Sequence, residues 1–190
     1  ARDRMPSARL VIKRAENAGR AGDTDTALGL LEDWLRLHPS DSEVAGFLGS
    51  VLQTAGRTAE AMTTYEKVIV ADPNNAVALN NLAVLYLAEN RTGALELAKR
   101  AWQAAENNPG VQDTYGWALV LEGQVGRGLQ LLEQALKELP DIPEVRYHHA
   151  AALYHAGNRA EARQLLEALL GEDVSFDGRE DAVRLLAERE

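Results

Sequence analysis

The 190-residue chain contains no cysteine. That excludes a disulfide framework, a CxxC redox pair and any cysteine-ligated zinc. Positive charge is also short. The 20 Lys and Arg stand against 29 Asp and Glu, and the net charge of −9 argues against a nucleic-acid backbone or an anionic membrane surface as the main partner. Long apolar runs are missing. The stretch Leu82 to Ala88 is far short of the roughly 18–20 residues a spanning helix needs, so direct membrane insertion is not expected. No apolar segment follows Ala1-Arg2-Asp3-Arg4-Met5-Pro6, so no signal peptide is expected here. The absence of an initiating Met is what a fragment of a longer precursor would give. Aromatic residues are scarce, with three Trp, five Tyr and two Phe, while Ala and Leu abound, a composition that favours helices. What remains, 46% hydrophobic and 26% charged, is ordinary for a folded chain.

The sequence repeats itself. Gly22, Gly56, Asn90, Gly123 and Gly157 are spaced 34, 34, 33 and 34. Ala27, Ala61, Ala94, Gly128 and Ala162 follow at 34, 33, 34 and 34, and Ala15, Gly49, Ala83, Gly116 and Ala150 at 34, 34, 33 and 34. Pro39 and Pro73 are 34 apart, as are Pro109 and Pro143. One period shared by three series of small residues marks an array of supersecondary units. The repeats are 8–41, 42–75, 76–108, 109–142 and 143–176, after a lead of 1–7 and before a C-terminal capping helix in 177–190. The third repeat is one residue short, between Asn90 and Ala94.

Each repeat reads as two amphipathic helices. In the second, Phe47, Leu48, Val51 and Leu52 share one face, and Ala61, Met62, Tyr65, Val68 and Ile69 share another after the turn. Glycine between the helices supplies the left-handed residue that ends the first, and Asn90 is the next best tolerated there. Small residues let paired helices approach. Ser40 and Glu43 have the spacing of a capping box, and Pro109 and Pro143 fall in first turns. A lone hairpin cannot bury its apolar face, so neighbours stack. The expectation is an all-α, right-handed α-solenoid of about eleven helices.

This pattern resembles the tetratricopeptide repeat (TPR), a helix–turn–helix unit of the same length with small residues at positions 8, 20 and 27. Position 8 here is Ala15, Gly49, Ala83, Gly116 and Ala150, and position 24 is Leu31, Tyr65, Ala98, Leu132 and Leu166. The sequence departs from the family where Trp34 takes position 27 and where position 4 lacks its aromatic. A narrower stretch, Asp113-Thr114-Tyr115-Gly116-Trp117 with Glu144 to His148 and Gly157 to Arg163, is similar to the C-terminal repeats of bacterial TPR lipoproteins of the PEP-CTERM and exopolysaccharide-export type. That resemblance implies a periplasmic, outer-membrane-anchored parent, with a cytoplasmic protein as the alternative.

In the TPR family, positions 2, 5, 9 and 12 of each first helix line a concave groove. The resemblance carries this over to Arg9, Ile12, Glu16 and Gly19, then to Glu43, Gly46, Ser50 and Gln53. It continues to Val77, Asn80, Val84 and Leu87, to Gly110, Asp113, Trp117 and Val120, and to Glu144, Tyr147, Ala151 and Tyr154. The expected partner-binding groove is Asn80, Asn81, Val84, Leu87, Asp113, Trp117, Val120, Tyr147, His148 and Tyr154, apolar anchors beside polar groups that fix register. The opposing reading is that the aromatics only fill a core. Glu16 and Glu43 favour a neutral or basic segment. The family's Lys/Arg clamp for a terminal carboxylate is absent, its places being held by Ile12, Glu16 and Asn80.

Nothing points to catalysis, a metal or a cofactor. His148 and His155 stand two turns apart, no HExxH occurs, and no serine has a nucleophile-elbow setting. Gly126-Arg127-Gly128 lacks the Lys-Ser/Thr of a phosphate loop. The sequence reads as a non-enzymatic module that binds a protein or peptide, a scaffold in envelope or exopolysaccharide export. The alternative is a structural spacer or self-assembly unit working through convex or terminal-helix surfaces.

Overall fold

The computed structural model describes residues 7–188. Expectations for residues 1–6 of the lead and 189–190 of the final helix lie outside the described residues. The helices are α1 (Ala8–Arg20), α2 (Thr24–Leu37), α3 (Ser42–Thr54), α4 (Thr58–Ala71), α5 (Ala76–Ala88), α6 (Ala94–Ala104), α7 (Pro109–Leu121), α8 (Val125–Glu138), α9 (Pro143–His155), α10 (Arg159–Leu170) and α11 (Arg179–Ala187). No strand occurs among the described residues, and the fold class is the all-α one expected for an α-solenoid. The chain divides into two compact units at the turn between α5 and α6. The N-terminal unit holds α1–α5 and the C-terminal unit α6–α11.

The turns repeat in atomic detail. Gly22, Gly56, Gly123 and Gly157 have φ of 78°, 73°, 77° and 90°, and Asn90 takes 52°. The residue after each of those four glycines donates its N–H to the carbonyl five residues back: Asp23 to Ala18, Arg57 to Leu52, Gln124 to Leu119 and Asn158 to Leu153. This closes each first helix with a Schellman bond. The missing residue of the third repeat is absorbed just after Asn90. Gly93 adopts φ 94° there, and α6 begins at Ala94 without the opening turn that α2, α4, α8 and α10 have.

Caps start the helices. Ser7, Asp23, Asp41, Asn75 and Asn108 each accept a first-turn backbone N–H, and Pro109 and Pro143 open α7 and α9. The expected Ser40–Glu43 box does not form. Asp41 caps α3 instead, its Oδ1 taking the Val44 N–H at 3.1 Å, because a carboxylate directly before the helix outcompetes a hydroxyl one residue further out. The other oxygen of Asp41 accepts from Trp34 Nε1 at 2.8 Å. Trp34, at its unusual position, lies flat on His38 with ring centroids 3.9 Å apart. That is the local repacking its bulk required.

In the N-terminal unit the core is a file of Leu31, Val44, Tyr65, Leu79 and Leu82, all below 2% exposed. Gly49 makes room for Tyr65: a Cβ at 49 would stand 2.4 Å from that ring. The buried ring contributes about 1.5–3 kcal/mol. Its hydroxyl accepts from Asn81 Nδ2 at 3.0 Å and lies 3.3 Å from Ser50 Oγ. In the C-terminal unit, α7 and α8 meet at Gly116 and Gly128. Further along, Tyr147, Ala150, Ala151, Leu166, Leu169, Phe176 and Ala182 form one cluster.

Candidate functional site

The first helices of the N-terminal unit enclose an open cleft of about 390 Å³, lined by Ile12, Ser42, Glu43, Gly46, Phe47, Ser50, Asn75 and Val77. One residue leaves room on its α3 side. Position 5 of the five first helices is Ile12, Gly46, Asn80, Asp113 and Tyr147, and only the second lacks a side chain. A Cβ added at Gly46 would meet nothing within 4 Å, so the missing side chain is room left over and not room needed for packing. Ile12, Phe47 and Val77 give the cleft apolar wall, with Val77 60% exposed, and Glu43 gives it negative charge. One turn beyond Val77 on α5 stands Asn80, whose Oδ1 is buried with no hydrogen-bond donor among the described residues. A buried amide oxygen of this kind wants a donor.

The other residues expected on this stretch of α5 have different positions. Asn81 is committed inward, to Tyr65. Val84 and Leu87 are half-buried. Of the cleft residues, Ile12, Glu43, Gly46, Ser50 and Val77 are groove positions of the repeat, but Ser42, Phe47 and Asn75 are not. Their only signal is adjacency to the glycine-floored position, which the helical pattern alone does not weight.

In the C-terminal unit the expected groove residues come together as a packed cluster. His148 Nδ1 lies 2.9 and 3.1 Å from the two carboxylate oxygens of Asp113, which is 7% exposed. Trp117 stacks on His148 at 4.7 Å and meets Tyr147 edge-on at 5.7 Å. Tyr147 is 3% exposed and Val120 4%. Both are placed in the core, which corrects the expectation that they present a binding surface. Val120 packs with Leu132 and Ala152. Tyr147 is covered from the C-terminal side, by Phe176 at 5.9 Å and by Gly178, whose absent Cβ would stand 2.3 Å from the ring.

The segment leading into α11 makes the cover over Tyr147, and α11 itself packs on both α9 and α10, where the first helix of a following repeat would sit. Tyr154 is engaged too: its hydroxyl donates to Glu188 Oε2 at 2.6 Å, and Arg159 lies over its ring at 5.2 Å. That hydrogen bond to Glu188 raises the Tyr154 pKa, and burial raises that of Tyr147 against the opposing pull of Arg184. The segment ahead of α11 is pinned by Arg146, which holds Glu172 through two hydrogen bonds of 2.8 and 2.7 Å. Arg179 pins it again by donating to the carbonyls of Val174 and Leu170. The bond to Arg146 holds the Glu172 carboxyl below its usual range.

Among the described residues no three His, Asp or Glu side chains are grouped as metal ligands, and no helix is long and apolar enough to cross a membrane.

Comparison with known proteins gives one consistent result. Family models described as tetratricopeptide repeat match residues 12–76, 64–100 and 119–188. Cellulose synthase operon protein C of Xanthomonas axonopodis pv. citri is 30% identical over 169 residues, covering 84% of this chain and 11% of its own length. The Vi polysaccharide export protein VexE of Salmonella typhi is 30% identical over 120 residues, covering 60% of this chain and 18% of its own length. The chain therefore spans a minor part of these curated relatives. Among solved structures, PilF of Pseudomonas aeruginosa aligns with a TM-score of 0.70 at 21% identity, covering 95% of this chain and 87% of that one. YrrB, described as a TPR protein with an unusual peptide-binding site, aligns at 0.67 and 20% identity, covering 96% and 91%. At such identities the likeness is one of fold.

Proposed function

Because the chain belongs to the tetratricopeptide-repeat family, we propose that it is a non-enzymatic protein-binding module whose N-terminal unit seats a peptide or protein segment in the cleft along α1, α3 and α5. The occupant is an extended segment of neutral or basic charge with small apolar side chains. Three features support this. Ile12, Phe47 and Val77 offer apolar contact, and Glu43 offers negative charge. The opening left at Gly46, where an added Cβ would meet nothing within 4 Å, carries the reading, since it gives a bound side chain a place to enter.

The reading extends to context. Relatives named for cellulose synthase operons and for Vi polysaccharide export support a scaffold role in bacterial envelope machinery that handles polysaccharide. It also extends to a periplasmic location with an outer-membrane-anchored parent chain, which fractionation of cells carrying the tagged parent would test.

The cleft itself is tested by selecting peptides from a displayed random library and mapping the binders by NMR. Basic-apolar sequences should emerge and shift the amide signals of Ile12, Gly46, Val77 and Asn80. Gly46→Leu, whose added Cβ meets nothing within 4 Å, puts a side chain into the cleft and should abolish binding while the helical circular dichroism is kept. Binders that ignore Gly46→Leu, or that shift only other residues, would refute the assignment.

A further inference from the structure

Helix α3 gives the N-terminal cleft Glu43, Gly46, Phe47 and Ser50 along one face. Glu43 and Phe47 are four residues apart, so their side chains are neighbours on the helix surface. Gly46 falls between them and carries no side chain, and an added Cβ there would meet nothing within 4 Å. Ile12 of α1 and Val77 of α5 wall the opening on either side. The slot over Gly46 thus has apolar flanks, an aromatic ring and a carboxylate.

The polar side chains of the cleft show what is left to be met. Asn75 is committed twice, accepting the Ala78 N–H at 3.0 Å and donating from Nδ2 to Asp72 Oδ2 at 3.1 Å. Ser50 Oγ lies 3.4 Å from the Gly46 carbonyl oxygen and 3.3 Å from the Tyr65 hydroxyl, which also accepts from Asn81. The inner end of the cleft is therefore satisfied among its own residues. The outer end is not. Glu43 is exposed, and among the described residues no cation forms an ion pair with it. Arg9 and Lys13 share a neighbouring hollow with Glu43, but Lys13 is paired with Glu16 at 3.4 Å. A first-turn acid also suits the helix dipole, so the carboxylate alone names no ligand. Together with the ring of Phe47 and the room at Gly46 it calls for a flat cation on an apolar stem.

We infer that the residue seated over Gly46 is an arginine of the bound segment. Its methylene stem lies between Ile12 and Val77, its guanidinium lies on the Phe47 ring, and its N–H groups donate to the Glu43 carboxylate. A guanidinium meets both demands at once, because it is planar, stacks on an aromatic face and donates in a fork that matches a carboxylate. A lysine supplies the stem and the charge but neither the plane nor the fork. The inference rests on the cleft being the binding site, and it adds the side chain that the cleft reads.

The test is an NMR titration of the purified chain with acetyl-Ala-Val-X-Val-Ala-amide, where X is arginine, citrulline, lysine or norleucine. The arginine peptide should bind most tightly and shift the amide signals of Glu43, Gly46, Phe47 and Val77. Citrulline keeps the shape and loses the charge, so its peptide should bind about fivefold more weakly at low salt, with the lysine peptide between the two. The gap should close as ionic strength rises, since screening weakens an exposed charge pair. Glu43→Gln, a change at an exposed site, should bring the arginine peptide to the citrulline level and leave the citrulline peptide unchanged. Phe47→Leu should bring the arginine peptide to the lysine level. Equal binding of all four peptides, lost together in Gly46→Leu, would overturn the arginine assignment and leave the cleft as the binding site. An arginine preference that survives Glu43→Gln would overturn it too. If no peptide shifts the cleft amides, the assignment falls together with the cleft.

Discussion

Gly116 and Gly128 face each other across the α7–α8 hairpin with no side chain between them. A Cβ on Gly128 would stand 2.6 Å from the Gly116 carbonyl oxygen and 2.6 Å from Val120 Cγ2, and one on Gly116 would stand 3.0 Å from the Gly128 carbonyl oxygen. Backbone cannot yield as a flexible side chain does, so Gly128→Ala should destabilise the protein by about 1–3 kcal/mol, despite the better helix propensity of alanine. Gly29 lies inside α2, and a Cβ added there would meet nothing within 4 Å. Gly29→Ala should therefore stabilise by about 0.5–1 kcal/mol. Urea midpoints of the two variants should move in opposite directions.

The Asp113–His148 pair is a structural device. Asp113 is buried in α7 and takes its side-chain partner from α9, one repeat on. His148→Ala would leave the carboxylate without that donor and should cost about 1–3 kcal/mol. The double variant Asp113→Ala with His148→Ala should cost less than the two single losses added together, a coupling read by a double-mutant cycle. Because Trp117 stacks on the imidazole at 4.7 Å, His148→Ala should also shift the indole emission.

Gly178 decides whether α11 stays in place. It has φ 92°, and its absent Cβ would stand 2.3 Å from the Tyr147 ring. Gly178→Ala combines a left-handed backbone penalty with a clash against a buried ring, together about 2 kcal/mol or more. Hydrogen exchange should then accelerate across Arg179–Ala187 while α7 and α8 stay protected. Equal protection of α11 in variant and parent would contradict this account of the cap.

The repeat was legible in the sequence because its causes are local and recur. A glycine or Asn90 must take positive φ at each turn, and small residues must stand where paired helices touch. The fate of the aromatics was not legible. Helical spacing put Tyr147 and Tyr154 on the groove face, but Phe176 and Gly178 cover Tyr147 and Glu188 engages Tyr154, contacts made by the end of the last repeat and the segment after it, which the repeat pattern does not describe. The cleft was half legible. Glu43 and Gly46 follow from position, whereas the opening they leave depends on the side chains of three helices at once.

His149 gives the fold a pH dependence whose sign can be worked out. Burial between helices holds its pKa below the ordinary value of about 6.5, against an opposing pull from Glu133 and Glu161. The folded chain therefore keeps the ring neutral at pH values where the unfolded chain already takes up a proton. Stability is full above about pH 6.5 and falls as the pH drops below it, with a slope no steeper than about 1.4 kcal/mol per pH unit. The Arg146–Glu172 bond works in the same direction but lower. The Glu172 pKa is held down, so its contribution persists until the pH approaches the carboxylate range, about 4.3 and below. The two are separable in the window between about pH 6.5 and 5. Replacing His149 with Gln should flatten the urea midpoint across that window and leave the loss below it. Replacing Glu172 with Gln should do the reverse.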